Sequence, residues 1–141
     1  MSASPTPFPA PLEAFVELFN QEAFWASHEV LEGSWRETDS DFYHGLILYA
    51  SAFVHVQRGN PHGIRAQLAK AERFLRRFSP AYLGVDVGSL LSHARACRKL
   101  TEEHPDAPAD GWNEVIPFPR ICLRTEHLRG DERELATDQA D

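Results

Sequence analysis

The chain has 141 residues, a mass of 15.9 kDa and a formal net charge of −7. Its 43% hydrophobic and 25% charged residues are typical of one globular domain and exclude disordered and fibrous classes. The negative charge also argues against a nucleic-acid-binding protein, because contacts to phosphates require a basic surface.

The N-terminus has neither the basic nor the apolar region of a signal peptide, and the longest uncharged stretch, residues 42–57, is too short to span a bilayer. The two cysteines, Cys97 and Cys122, are too few for a disulfide framework and suit a reducing compartment. We therefore expect a cytoplasmic protein that does not enter a membrane.

Proline and charge divide the chain into four parts. Residues 1–10 are rich in proline and predict an extended arm, and residues 11–103 show helical patterns. Residues 104–124 are interrupted by proline but partly apolar, so we expect an irregular segment that packs on the helices. Residues 125–141 are mostly polar and charged, which is typical of a frayed or disordered tail.

The first two helices are predicted from apolar spacing and from a capping residue. Apolar side chains at positions 12, 15, 16 and 19 follow one face of a helix that begins at Pro11. Asn20 then has the residue type of an N-cap, so we expect a second helix over about residues 21–36.

Three further helices are predicted from their end signals. Thr38, Asp39 and Ser40 are candidate N-caps of the third helix, Gly59 is placed to end it in the left-handed conformation, and Asn60 with Pro61 begins the next one. The predicted ranges are 41–58, 61–78 and 87–102.

No stretch before residue 112 alternates with the period of a β-strand. The predicted fold class is therefore all-α, a compact bundle of four to five antiparallel helices with an irregular C-terminal segment. Gly33 and Gly45 lie inside predicted helices, where glycine costs roughly 1 kcal/mol relative to alanine. We expect the second and third helices to pack closely at these glycines.

The third helix carries a line of polar residues on an otherwise apolar surface. Residues 42–56 include no Asp, Glu, Lys or Arg, which is typical of a helix buried on most sides. The side chains of His44, Ser51, His55 and Arg58 stay within roughly 40° of one another around the helix axis. Such a polar line in a buried helix must be hydrogen-bonded or hydrated.

His28 and Glu32 lie one turn apart in the second helix, and His28 falls within an apolar stripe. Three interpretations stay open. The two side chains form a structural pair, they are ligands of a metal ion together with His44 or His55, or His28 is a general base tuned by Glu32. A zinc-protease motif is excluded, because it needs a second histidine where Glu32 stands.

Positive charge is concentrated in the middle of the chain. Residues 42–100 carry nine basic and two acidic side chains, whereas both flanks are acidic. The basic residues form either a wall that attracts a small anionic ligand or a solvated surface beside the acidic flanks. The basic stretch contains Arg58, Arg65, Lys70, Arg73, Arg76 and Arg77.

Six short segments follow one another at fixed spacing. They are Phe19-Asn20, Phe24-Trp25, His28-Glu29-Val30-Leu31-Glu32, Trp35-Arg36, Phe42-Tyr43-x-Gly45-Leu46-Ile47 and His55-x-x-Arg58-Gly59-Asn60. In order and spacing they resemble the DUF309 proteins, a bacterial and archaeal family of unknown function, over roughly residues 12–100. The resemblance implies a small, cytosolic, all-α domain and no particular activity. It singles out as shared polar and aromatic residues His28, Glu29, Glu32, Trp35, Tyr43, His55, Arg58 and Asn60.

We expect these eight residues to bind a ligand in one semi-buried pocket between the second and third helices. The ligand is a small molecule or a divalent metal ion; the metal candidates are His28, Glu32 and His55, and the catalytic candidates are His28 and Glu32. One alternative is a non-catalytic interaction or assembly module in which the buried polar residues are structural. Another is a hydrolase with His28 as general base. We also expect a homodimer, because symmetric dimers are the commonest oligomers.

Overall fold

The computed structural model describes residues 8–128, which fold into an all-α bundle. No β-strand occurs within this range, so the predicted fold class is confirmed. Most of the predicted N-terminal arm and most of the predicted charged tail lie outside the described residues. The helices are α1 (Ala10–Asn20), α2 (Phe24–Thr38), α3 (Asp41–Gln57), α4 (Pro61–Leu75), α5 (Val87–Glu103) and the single turn α6 (Trp112–Val115).

The centre of the bundle is α3, which packs against α2 on one side and α4 on the other. Most of its residues are buried. A helix that is apolar on nearly every side is stable only when other elements surround it and shield it from water. Its Tyr49 and Phe53 lie against Phe19 of α1, with ring centroids 5.8 and 5.9 Å away, and Phe53 also contacts Phe24 at 5.4 Å. These aromatic contacts join the first three helices into one core.

The predicted end signals of α3 and α4 are confirmed. The Ser40 hydroxyl accepts a hydrogen bond from the Tyr43 backbone N–H at 3.1 Å, and the Asn60 side chain accepts one from Gly63 at 3.1 Å. Gly59 has a φ of 68°, the left-handed conformation that glycine adopts without steric cost. The chain therefore reverses between α3 and α4 at the predicted place.

The prediction that Asn20 caps α2 is wrong. Asn20 is the last residue of α1, and α2 begins only at Phe24, after Glu22 has adopted a left-handed φ of 64°. The Asn20 side chain instead bonds both backbone groups of Ile121, as acceptor at 2.8 Å and as donor at 2.9 Å. This tertiary contact fixes the C-terminal segment on the bundle and has no local signal in the sequence.

The expectation for the two helical glycines is also corrected. Gly33 is exposed, and a Cβ atom built on it would meet no atom within 4 Å. At Gly45 the same atom would lie 2.7 Å from the Leu75 side chain and 3.2 Å from Cβ of Phe74. Gly45 therefore permits a close approach between α3 and α4, rather than between α2 and α3.

The chain connecting α4 to α5 is held by the segment that follows α5. Gly84 accepts a backbone hydrogen bond from Arg124 at 2.9 Å and donates one to His127 at 3.1 Å. Trp112, Ile116 and Ile121 of the C-terminal segment are buried. Within residues 8–128, none of the helices has both the length and the apolar character needed to cross a membrane.

Candidate functional site

His28 and Glu32 do not form a pair. The His28 ring stacks on Trp25 with centroids 4.9 Å apart, and its buried Nδ1 has no hydrogen-bond partner among the described residues. Glu32 accepts a hydrogen bond from Nη2 of Arg36 at 3.3 Å. A glutamate four residues before an arginine is the favourable order on a helix surface. The interpretation that His28 and Glu32 form a structural pair is therefore wrong. Arg36, four residues after Glu32, binds the carboxylate instead.

Trp25 links α2 to the end of α3. The guanidinium of Arg58 lies 5.7 Å from the Trp25 ring centroid, and His28 stacks on the same indole. One turn earlier in α3, Nδ1 of His55 lies 3.3 Å from Nδ2 of Asn60. Burial, and secondly the charge of Arg58, lower the pKa of His55 below its ordinary value. Four of the eight predicted ligand residues thus form two small contacts at this end of the bundle.

The other predicted residues lie in separate environments. Trp35 stacks on His44 at 4.4 Å, and His44 in turn contacts Phe74 at 4.3 Å. Tyr43 is fully buried in the core, whereas Glu29 is exposed on α2.

The predicted metal ligands also lie in separate environments. Among residues 8–128, no group of three or more His, Cys, Asp or Glu side chains is placed to hold a metal ion. Of the three metal candidates, Glu32 is bonded to Arg36 and His55 to Asn60. The described residues therefore provide no metal centre built on His28.

A second buried polar cluster joins α3 to α5. The hydroxyl of Tyr49 lies 3.3 Å from Nδ1 of His93, and Sγ of Cys97 lies 3.5 Å from the same nitrogen. Burial raises the pKa of the Cys97 thiol to about 12 and lowers the pKa of His93. At neutral pH the Cys97 thiol therefore stays protonated.

Several arginines line a groove between α4 and α5. The groove has a volume of about 740 Å³. Arg73 and Arg76 line it from α4 and the short turn that follows, and Arg95 and Arg98 line it from α5. With Glu72 as the acidic member of the lining, four arginines against one glutamate give a net formal charge of +3. We call these five residues the arginine groove.

Among residues 8–128, Arg98 is the arginine of this groove that forms an ion pair. Its Nε donates to Oε2 of Glu72 at 2.5 Å and its Nη2 donates to Oε1 at 3.0 Å. This bond to Glu72 raises the pKa of Arg98. Arg73, Arg76 and Arg95 are exposed and make neither an ion pair nor a hydrogen bond within the described part of the chain.

Helix geometry places the four guanidinium groups in one groove. Residues three apart share a helix face, which aligns Arg73 with Arg76 and Arg95 with Arg98. α4 and α5 pack against each other, and the bond between Glu72 and Arg98 fixes their register.

The sequence analysis predicted two of the four arginines of this groove. Arg73 and Arg76 belong to the predicted basic wall, but Arg95 and Arg98 were missed. Their signal was the same spacing of three residues on the next helix. Two other members of the predicted wall have different partners, since Arg77 pairs with Asp41 and Arg58 lies over Trp25.

Residues 12–67 match the model of the DUF309 family, described as a domain of unknown function. The match confirms the resemblance for α1, α2, α3 and the first half of α4. It includes the eight residues from His28 to Asn60 and ends before the first arginine of the groove. No curated protein and no solved structure matches the chain.

Proposed function

We propose that the protein binds a small, multiply charged anionic molecule in the arginine groove. The observation that carries this proposal is that three exposed arginines of one groove have no ion-pair partner within residues 8–128, in a protein whose net charge is −7. Guanidinium groups of like charge repel one another, and a bound anion removes that repulsion. The groove therefore favours an anionic occupant over water alone.

Arginine side chains also have a geometry that suits oxyanions. The planar guanidinium donates two parallel hydrogen bonds to a phosphate or carboxylate, and the geometry suits both. Arg98 already binds the Glu72 carboxylate in this two-point manner. We expect Arg73, Arg76 and Arg95 to bind phosphoryl oxygens in the same way, because a phosphoryl group carries about −1.5 to −2 charge at neutral pH and compensates two arginines, whereas a carboxylate compensates one.

Size and charge favour a small ligand over a nucleic acid. A volume of about 740 Å³ lies within the range of small-molecule sites, roughly 300–1,000 Å³. Residues 1–41 and 101–141 each carry a formal charge of −7 and would repel a long polyanion. We place this binding activity in the cytoplasm, which suits the two free thiols Cys97 and Cys122.

The earlier interpretations of His28 receive less support. A metal site or a hydrolase active site would need His28 and Glu32 to act together, and Glu32 bonds Arg36 instead. An assembly module would use the exposed side chains of Trp25 and Val30 on α2, which are 50% and 39% exposed. Two such residues make a small apolar patch.

Calorimetric titration of the full-length protein with pyrophosphate tests the proposal. We expect saturable binding with one site, and at least about tenfold weaker binding for Arg76→Gln, because a charge-assisted hydrogen bond contributes about 1.5–3 kcal/mol. Lys70→Gln removes the same charge from an exposed position of α4 outside the groove, and we expect a change of less than about threefold.

Two results of this titration would contradict the proposal. One is no detectable binding of pyrophosphate to the wild-type protein. The other is equal weakening by Arg76→Gln and Lys70→Gln, which would mean that binding reports general surface charge and not the groove. A single-stranded oligonucleotide that binds more tightly than pyrophosphate would point to a nucleic-acid ligand instead.

A further inference from the structure

The arrangement of charge within the groove indicates how many anionic groups its ligand carries. We infer that the ligand is a small molecule with two separate phosphoryl groups, one held at the α4 wall (Arg73 and Arg76) and one at the α5 wall (Arg95 and Arg98). This inference rests on the proposed function, because it describes the occupant of the same groove.

The α4 wall offers two guanidinium groups that have no partner in the described range 8–128. Arg73 and Arg76 are three residues apart, so their Cα atoms are separated by about 5 Å along the helix. One phosphoryl group bridges two arginines at this spacing. A phosphoryl group carries about −1.5 to −2 charge at neutral pH and therefore neutralises these two side chains and no more.

The α5 wall offers one free guanidinium group. Glu72 neutralises Arg98 through two hydrogen bonds, and its side chain is only 15% exposed. Arg95 lies one turn before Arg98, and it is exposed and unpaired within the described residues. A phosphoryl group at Arg73 and Arg76 leaves the charge of Arg95 without compensation.

The distance between the walls separates the two anionic positions. Packed helix axes lie about 8–10 Å apart, so the Arg95 guanidinium approaches the groove from the opposite side to Arg73 and Arg76. A ligand with a second phosphoryl group reaches Arg95 while the first stays on α4. Its charge then matches the net +3 of the groove lining.

The test compares inorganic phosphate with linear tripolyphosphate by calorimetric titration of the full-length protein. We expect tripolyphosphate to bind at least about tenfold more tightly than phosphate, because it adds charge-assisted bonds to Arg95. Arg95→Gln is expected to weaken tripolyphosphate binding at least about tenfold and phosphate binding less than about threefold. Arg95→Lys keeps the charge but loses the two-point geometry, and it is expected to recover part of the tripolyphosphate affinity.

Lys70→Gln is the matched control, since it removes one charge from an exposed position outside the groove lining. We expect it to change both affinities by less than about threefold. Equal weakening of phosphate and tripolyphosphate by Arg95→Gln would overturn the inference of two anionic positions and leave the proposed function intact. Equal affinities of the wild-type protein for phosphate and tripolyphosphate would also overturn the inference of two anionic positions and leave the proposed function intact. Failure of both probes to bind would overturn the proposed function and the inference together.

Discussion

Arg98 binds Glu72 through two nitrogen atoms, with Nε 2.5 Å from Oε2 and Nη2 3.0 Å from Oε1. This contact joins α4 to α5 and sets their register. It also places a carboxylate inside a groove that is otherwise lined with positive charge. Glu72 therefore has two opposing effects, since it stabilises the fold and repels an anionic ligand.

Glu72→Gln should increase the affinity for tripolyphosphate and lower stability. Removal of one negative charge from the groove is expected to strengthen binding about fivefold, which corresponds to about 1 kcal/mol of Coulomb energy. Loss of the two charge-assisted hydrogen bonds is expected to reduce the free energy of unfolding by about 1–2 kcal/mol. Titration calorimetry and urea denaturation measure the two effects.

Glu103→Gln is the control for this experiment, because Glu103 pairs with Lys99 on the exposed side of α5 at 3.9 Å and lies outside the groove lining. We expect little change in either quantity. Unchanged or weaker tripolyphosphate binding by Glu72→Gln would show that Glu72 does not compete with the ligand.

Glu32→Gln should leave stability nearly unchanged. Glu32 pairs with Arg36 on the surface of α2, where the arginine side chain is 72% exposed, and exposed pairs within one helix contribute about 0.3–0.5 kcal/mol. The expected change in the free energy of unfolding is below about 0.5 kcal/mol. A loss above about 1.5 kcal/mol in urea denaturation would indicate that Glu32 has a buried partner after all.

Replacement of the two helical glycines should change stability in opposite directions. Gly33→Ala fills open space on the exposed face of α2 and is expected to stabilise the protein by about 0.5–1 kcal/mol. Gly45→Ala would place Cβ 2.7 Å from the buried side chain of Leu75, so we expect a loss of about 1–3 kcal/mol. Free energies of unfolding from urea denaturation give both values. A Gly45→Ala variant as stable as the wild-type protein, or more stable, would contradict the packing described for α3 and α4.

His93 should make the protein less stable below neutral pH. Burial lowers the pKa of His93 below its ordinary value of 6.5, so the unfolded chain takes up a proton before the folded protein does. This contribution to stability is complete above pH 6.5 and is lost as the pH falls through the lowered pKa.

The free energies of unfolding at pH 7.5 and pH 5.5 test this pH dependence. We expect the difference between them to be smaller for His93→Gln than for the wild-type protein. His62→Gln, at an exposed histidine of α4, should show the wild-type difference. Equal differences for all three proteins would show that proton uptake at His93 does not contribute.

Most of the fold could be predicted because its signals are local. The structure contains the N-caps Ser40 and Asn60 and the left-handed Gly59. Each cap bonds a residue three positions later, and Gly59 changes the chain direction at its own position. Asn20 has the residue type of a cap, but its amide bonds Ile121, about a hundred residues later in the chain. Nothing in the local sequence separates these two uses of an asparagine.

The candidate site was harder to predict because it depends on competition between partners. His28, Glu32 and Arg36 follow one another at intervals of four residues in α2. This spacing alone allows Glu32 to bond either His28 or Arg36. The arginine groove depends on the register of α4 against α5, which the contact between Glu72 and Arg98 determines. A charge count locates the basic region but does not give this register.

An NMR titration of the isotopically labelled full-length protein with tripolyphosphate tests the proposed anion site most directly. The measured signals are the Nε–H resonances of the arginine side chains. We predict the largest shifts at Arg73, Arg76 and Arg95, with little change at Arg58 and at the Trp25 indole. Shifts concentrated at Trp25 and Arg58, with the groove arginines unchanged, would contradict the proposed site.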